Sequence, residues 1–408
     1  MSGLAQVETG SRVQEKASSR RWLILALGLA AQTASCAFLY GLPFLVPAMR
    51  AADGLTLAEA GTVVAAPSIG LLLTLIAWGA AADRYGERLI MALGLGASGL
   101  LLVYAALWNH PIGLLFGVFF VAGACTASVN AASGRVVMGW FSKSERGIAM
   151  GIRQTAQPLG VGVAAVGLPP LAARWGFQAA MLLPAALAIV VALLVAVFVQ
   201  DPPRPPRPAA GAEKPPSPYR KPWLWRVHGA SALLVVPQFT VSAFAPVYLV
   251  SQQQWSPSQA GVFLAVAQVL GALGRLGSGW WSDRVGSRLR PMRHLAVASC
   301  VVMLLVAVGD ATWLWLVLAA LVLAAVITVA DNGLGFTASA ELAGVAWSGR
   351  AMGTQNTAQN IAGALTPPLL GLLIGDTRYA LAFCVVAVFP ALAIAAVPVR
   401  AERELEHH

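Results

Sequence analysis

Two ten-residue stretches decide the fold of this chain: GAAADRYGER at residues 79–88 and GWWSDRVGSR at residues 279–288. Each stretch follows a long apolar run. The positions that recur, 200 residues apart, are Gly79, Asp83, Arg84, Gly86 and Arg88 in the first copy and Gly279, Asp283, Arg284, Gly286 and Arg288 in the second. A loop repeated in this way indicates that the chain is internally duplicated.

Three further matches follow the same order along the two halves. EAG at 59–61 matches QAG at 259–261, AMG at 149–151 recurs at 351–353, and QTAQ at 154–157 parallels NTAQ at 356–359. Two halves with the same topology are parallel repeats, which in transporters are related by an axis along the membrane normal.

The composition places both halves in a membrane. Hydrophobic residues make up 58% of the chain and charged residues 11%, whereas soluble domains carry about 25% charged residues. Long apolar runs without two-residue alternation favour helices over a barrel. Twelve spans are predicted, at 22–49, 57–82, 89–108, 112–139, 147–172, 177–199, 223–250, 258–281, 292–309, 312–340, 350–374 and 379–399. The expected fold is an all-α membrane protein of two pseudo-symmetric six-helix bundles.

The polar segments set the expected domain boundaries and orientation. A tail at 1–21 precedes an N-terminal bundle at 22–199, a proline-rich linker at 200–222 joins it to a C-terminal bundle at 223–399, and a tail at 400–408 ends in an expression-tag remnant. Lysine and arginine concentrate on the side of both termini, which predicts cytoplasmic termini in a plasma (inner) membrane protein. Attraction to anionic lipid accounts for the net charge of +10, and we expect no nucleic-acid partner.

With its twelve spans and duplicated loop, the chain resembles the major facilitator superfamily. The resemblance implies that each loop aspartate docks on a helix terminus of the opposite half. Asp83 would lie near Arg350, and Asp283 near Arg146, bracing a gate on the cytoplasmic side. The alternative is that both loops are ordinary charged turns whose basic residues only set topology.

Arg275 is the clearest polar residue inside a span, about 12 Å into the bilayer at 1.5 Å per residue. A charge at this depth is costly and is a functional candidate. Its position resembles the eighth-span arginine that contacts the anion in monocarboxylate, oxalate/formate and nitrate/nitrite carriers. A structural arginine paired with a helix end or with Asp331 is the alternative.

Other polar residues inside spans are candidates for a central cavity. Arg153 either lines the cavity or extends its charge to the membrane edge. For Arg135, extension to the membrane edge is favoured. Asp331 is either a proton-coupling carboxylate or a permanent counter-ion of Arg275. The remaining candidates, each of which could instead form a helix–helix hydrogen bond, are Gln32, Tyr40, Asn130, Gln238, Gln268, Asn356 and Gln359.

The function predicted from these features is secondary active transport of a small organic monoanion, such as a monocarboxylate, by alternating access. No nucleotide-binding loop is present in the sequence, so an ion gradient is expected to drive transport, with H⁺ as the candidate coupling ion. A drug/proton antiporter is the main alternative, and a non-transporting sensor or membrane scaffold is the other. We expect a monomer without enzymatic activity, catalytic residues, metal or cofactor, whose partners are the lipid bilayer and a small anionic solute.

Overall fold

The structure, a computed structural model, describes residues 2–107, 111–202, 217–374, 378–400 and 402, and in these ranges every regular element is helical. The α-helices are α1 (Ser2–Leu39), α2 (Val46–Asp53), α3 (Leu57–Tyr85), α4 (Glu87–Leu107), α5 (Ile112–Trp140), α6 (Arg146–Gln154), α7 (Ala156–Ala180), α8 (Leu182–Phe198), α9 (Trp223–Ser251), α10 (Pro257–Val285), α11 (Leu289–Thr312), α12 (Leu314–Ala330), α13 (Asn332–Ala343), α14 (Ser348–Ile374) and α15 (Tyr379–Ala396).

The twelve predicted spans correspond to fifteen α-helices because three of the spans are each divided into two helices. The first is interrupted by a short 3₁₀ turn at Leu42–Leu45, where Pro43 cannot donate a helical hydrogen bond. The fifth divides into α6 and α7 beside Thr155, and the tenth divides into α12 and α13 at Asp331. The first helix begins at Ser2, inside the segment assigned to a polar tail.

Length and composition make ten helical segments of the described chain suitable for crossing a membrane. The remaining two spans are α8, which is apolar but has only 17 residues, and α14, which is long enough but carries several carboxamides. A short apolar helix can still span hydrocarbon, since about 17 residues is the lower limit. A polar helix is tolerated where it faces protein or a cavity instead of lipid.

The boundary between the fifth and sixth spans lies at a kink within α7. We expected one span to end at 172 and the next to begin at 177. Gly176, with φ 83°, lies between these two positions and interrupts the helical backbone within α7 (Ala156–Ala180), and α8 begins at Leu182. Glycine accepts this left-handed conformation without steric cost, so the chain turns there while both flanking segments remain helical.

Matching hydrogen bonds start the second span of each half. The Thr56 side chain accepts from the Glu59 backbone N–H, and the Ser256 side chain accepts from that of Gln259, each forming a reciprocal capping box. The duplicated sequence therefore begins α3 and α10 by the same local mechanism.

Each half has its own apolar core. In the first half α3 packs on α5, α4 packs on α5 and α8, and α1 packs on α7, while in the second α11 packs on α12 and α15, and α9 packs on α14 and α15. Two contacts join the halves most extensively, α3 with α14 and α6 with α10. Most of the linker at 200–222 and of the tail at 400–408 lies outside the described residues.

Candidate functional site

The Asp83 carboxylate crosses from the first half to the start of α14. Its two oxygens accept hydrogen bonds from the backbone N–H groups of Gly349, at 2.9 Å, and Arg350, at 3.1 Å. The first N–H groups of a helix have no partner within that helix, and its N-terminus favours negative charge. The predicted contact near Arg350 is therefore present.

Asp283 makes the equivalent contact in the opposite direction. Its oxygens accept from the backbone N–H groups of Gly147 and Ile148, both at 2.8 Å, at the start of α6. The end of the molecule that carries both contacts is called the motif end below, and the two contact zones are called the Asp83 seam and the Asp283 seam. Both seams are closed in this structure.

Glycines make this close approach possible. A Cβ added at Gly79 would lie 2.4 Å from the Gly349 carbonyl oxygen, and one added at Gly279 would lie 2.2 Å from the Gly147 carbonyl oxygen. These obstacles are backbone atoms, which cannot rotate away as a side-chain tip can. The first glycine of the repeated loop is thus required by helix-to-helix contact, not by an unusual backbone angle.

The prediction that Arg135 extends to the membrane edge was wrong. Its side chain is buried and forms ion pairs with Asp83 and with Glu87, the latter at 2.5 Å. Glu87 itself is 0% exposed. A buried carboxylate needs a nearby cation, and the packing of α5 against α3 and α4 brings Arg135 to both acids.

In the second half the cation comes from the repeated loop itself. Arg288 forms an ion pair with Asp283 at 2.6 Å, donates to the Ser282 hydroxyl at 2.6 Å, and donates to the Lys143 carbonyl oxygen. Glu341 lies 3.6 Å from Arg288. The corresponding Arg88 side chain is exposed, and its backbone N–H donates to Asp201 at 2.8 Å.

The other repeated loop residues serve local structure. Arg84 lies over the Tyr85 ring at 5.2 Å from the centroid, and Arg284 lies over the Trp280 ring at 5.4 Å. Gly86 and Gly286 adopt positive φ angles of 106° and 68° at the ends of α3 and α10.

A polar cavity of about 80 Å³ lies between the two halves. Seven of the nine predicted solute-contacting residues line it: Gln32, Tyr40, Asn130, Arg153, Gln238, Asn356 and Gln359. The structure therefore brings together residues from spans one, four, five, seven and eleven.

Arg153 supplies the one charged side chain among the described residues that line this cavity. It is 2% exposed. Its nitrogens donate to the Ser133 hydroxyl at 2.9 Å, the Gln154 side-chain oxygen at 2.9 Å and the Asn130 carbonyl at 3.2 Å, and its guanidinium lies 5.6 Å from the centre of the Phe336 ring. These partners are neutral, so they fix the position of the guanidinium without neutralising its charge.

The structure does not place Arg275 on the cavity wall. It is 3% exposed, and its Nε and Nη1 atoms have no hydrogen-bond partner in the described part of the chain. Asp331 is buried nearby and interacts with it electrostatically, but the Oδ2 atom of Asp331 also has no partner there. Gln268 lines a separate cavity of about 30 Å³ that shares Gln238 with the central one.

Ten of the described residues on the cavity wall were not among the candidates, and five of them carry an amide or a thiol group. These five are Cys36, Gln154, Gln157, Asn332 and Asn360. The signal for two of them was present, because QTAQ at 154–157 was recognised as the counterpart of NTAQ at 356–359, yet candidates were taken only from the second copy.

Two bundles of membrane-spanning helices, closed on each other at one end and enclosing a polar cavity between them, define the class as a membrane transporter. The sequence profile of the Major Facilitator Superfamily matches residues 28–367. This chain therefore belongs to that superfamily and is a multi-pass integral membrane protein.

Relatives and a solved structure agree with this assignment. The chain is 43% identical over 382 residues to an uncharacterised MFS-type transporter of Mycobacterium tuberculosis, covering 93% of this chain and 85% of that protein. It is 25% identical over 299 residues to the glycerol-3-phosphate transporter of Bacillus subtilis, covering 66% of each. The crystal structure of the E. coli fucose:proton symporter matches with a TM-score of 0.73 at 16% identity, covering 92% of this chain and 98% of that one.

Proposed function

We propose that this transporter carries a small organic monoanion and that Arg153 is the residue that contacts its charge. The observation that carries the proposal is a buried guanidinium on the cavity wall whose partners are all neutral. Burying an uncompensated charge is costly, and in transporters such charges mark the solute path. A single cation on the wall favours one negative charge over two.

The solute named for one relative supports the proposal that this chain carries an anion. The glycerol-3-phosphate transporter that matches this chain carries, by its name, an organic phosphate. A guanidinium offers a planar fork of donors that fits a carboxylate or a phosphate equally well.

Transport would proceed by alternating access about the central cavity. With the motif end on the cytoplasmic side of the plasma membrane, as the distribution of basic residues supports, the closed Asp83 and Asp283 seams would block release into the cell. Rocking of the two halves would separate α3 from α14 and α6 from α10, and the solute would then leave through the motif end.

Asp331 is the proposed proton-coupling residue. It lies at the break between α12 and α13, is 2% exposed, and leaves one carboxylate oxygen without a partner among the described residues. Buried carboxylates exchange protons during transport cycles. Loss of its charge on protonation would weaken its attraction for Arg275, which would link proton binding to rearrangement of the C-terminal half.

A ligand screen tests the class of solute. Purified protein would be heated with monocarboxylates, with organic phosphates and with lipophilic cations, and hits would be followed by counterflow in proteoliposomes. We expect stabilisation and counterflow by anions. Stabilisation by lipophilic cations and not by anions would overturn the proposal and support drug export.

Replacement of Arg153 tests the anion contact. Arg153→Gln should reduce anion binding by about 10-fold or more, because charge-assisted hydrogen bonds contribute about 1.5–3 kcal/mol. The matched control is Arg50→Gln, which removes the same charge from an exposed side chain. Equal anion affinity in the two variants would contradict the assignment.

Replacement of Asp331 tests coupling separately from transport. We expect Asp331→Asn to retain counterflow, which needs no net driving force, and to lose accumulation driven by an imposed pH gradient. Gradient-driven accumulation at the wild-type rate would exclude Asp331 as the proton site.

A further inference from the structure

Carboxamide side chains dominate the wall of the central cavity. Nine of the seventeen residues that line it in the described part of the chain are asparagine or glutamine. Three pairs of them occur 202 positions apart, at equivalent places in the two halves: Gln154 with Asn356, Gln157 with Gln359, and Asn130 with Asn332. The duplication has therefore placed hydrogen-bonding groups on both sides of the cavity.

A fourth pair, Gln32 and Gln238, is equivalent because each member hydrogen-bonds to one of the paired asparagines. Gln32 on α1 donates to the Asn130 side chain at 2.8 Å, and Asn332 at the start of α13 donates to the Gln238 side chain at 3.0 Å. The spacing from Gln32 to Gln238 is 206, not 202, so the match lies in the hydrogen bond rather than in strict sequence register. These bonds hold the amide groups in fixed orientations before a solute arrives.

The charge on the wall has no such counterpart. The residue 202 positions after Arg153 is Gln355, which does not line the cavity and instead contacts His228 at 2.5 Å and Ser339 at 3.1 Å. The residue 200 positions before Arg275 is Leu75, an apolar core residue. Among the cavity-lining residues described, the cation lies in the first half alone and there is no carboxylate.

The chemistry of a carboxamide points to a specific partner. Each amide offers an acceptor oxygen and two donor hydrogens, which complement a hydroxyl group that both donates and accepts. An unsubstituted aliphatic chain would leave the remaining hydrogen-bonding groups of these amides unsatisfied, at a cost that sites built to bind hydroxyl groups use to reject deoxygenated analogues.

We infer that the solute is a polyhydroxylated monoanion, bound with its anionic group against Arg153 in the N-terminal half and its hydroxyl groups between the paired carboxamides of both halves. This inference rests on the proposed transport of an organic monoanion. It adds that hydroxyl recognition, distributed over both halves, selects among monoanions.

Two ligand series at constant charge test the inference. The first contains propionate, lactate and glycerate, which have three carbons and zero, one and two hydroxyl groups, and the second compares hexanoate with gluconate. Competition for counterflow gives the affinity of each compound. Because one hydrogen bond changes binding by about two- to tenfold, we expect affinity to rise with each hydroxyl group, by about 10-fold or more from propionate to glycerate or from hexanoate to gluconate.

The outcomes separate this inference from the proposed function. If propionate and hexanoate compete as well as their hydroxylated counterparts, or better, the inference is overturned while monoanion transport stands. If none of the five anions competes or stabilises the protein, and uncharged or cationic compounds do, the proposed function itself fails.

Paired variants locate the hydroxyl recognition. Gln157→Met and Gln359→Met remove equivalent amides with little change in volume, and Gln268→Met, on the separate small cavity, is the control. The readout is the ratio of affinities for gluconate and hexanoate, which is measured only on folded, binding-competent protein. Each cavity variant should lower this ratio by about two- to tenfold and the control should not. A fall confined to one half would overturn the two-sided arrangement.

Discussion

The Asp83 seam and the Asp283 seam are alike in their backbone contacts and different in their counter-ions. Each aspartate accepts two backbone N–H groups at 2.8–3.1 Å from the first turn of a helix in the opposite half. The nearer cation beside Asp83 is Arg135 from the middle of the same half, with Arg350 of the opposite half at 3.9 Å, whereas the cation beside Asp283 is Arg288 from its own loop.

This difference teaches which part of a duplicated motif is constrained by geometry. Backbone N–H groups at a helix start are present in any sequence, so an aspartate in the right place finds the same partners in both copies. A counter-ion can come from any neighbouring helix, and each half supplies it differently. Identical motif residues therefore need not have identical roles, as Arg88 and Arg288 illustrate.

Removal of Arg135 should have the largest effect on stability. Arg135→Gln removes the Arg135 cation from the buried carboxylates of Asp83 and Glu87, and breaking a buried pair costs about 3–5 kcal/mol. Thermal unfolding in detergent would measure the loss. A melting temperature within a degree of wild type would show that the Asp83 seam does not depend on this cation.

Removal of Arg288 is the matched test in the second half, with Arg88 as its control. Arg288→Gln should destabilise the protein by about 3–5 kcal/mol for the same reason, and Arg88→Gln should cost about 0–1 kcal/mol because its side chain is exposed. Equal losses from the two variants would contradict the asymmetry between the loops.

Enlarging a glycine of the second seam should have an intermediate effect and open the motif end. In Gly279→Ala the new Cβ would lie 2.2 Å from the Gly147 carbonyl oxygen, whereas Gly277→Ala, two residues away on α10, meets no atom within 4 Å. Overpacking of this kind costs about 1–3 kcal/mol. Labelling of a cysteine introduced at the motif end should accelerate in Gly279→Ala only. Unchanged labelling would show that the seam absorbs the methyl group without opening.

Removal of the partly exposed charge of Arg21 on α1 should have the smallest effect on stability. Arg21 forms a partly exposed pair with Glu145 through two hydrogen bonds at 2.7 and 3.0 Å. Arg21→Gln should reduce stability by about 0–1 kcal/mol, and 0.5 M salt should reduce the difference from wild type further. A loss as large as that of Arg135→Gln would remove the distinction drawn between buried and exposed pairs.

Prediction from sequence succeeded where a feature is local or duplicated. The long apolar runs and the repeated loops predicted the helical membrane fold, and the resemblance implied the docking of Asp83 and Asp283. Seven of the nine candidate solute contacts also line one cavity. Arg275 is buried and is not among the residues that line that cavity, and the prediction for Arg135 failed because its side chain pairs with acids instead of reaching the membrane edge.

The amino-acid sequence by itself determined that this chain enters a membrane as two related helical halves, because the transfer of an apolar segment into lipid depends on that segment alone. The sequence also showed the two equivalent loop aspartates, and the resemblance to the superfamily implied that they join the halves. Only the tertiary structure decided which polar side chains meet. That depends on the rotation of each helix about its axis and on breaks such as the one at Asp331, which no single span encodes. For this reason the cavity wall became visible only when the two halves were placed against each other. Its carboxamides occur in equivalent pairs, whereas Arg153 has Gln355 as its counterpart in the other half.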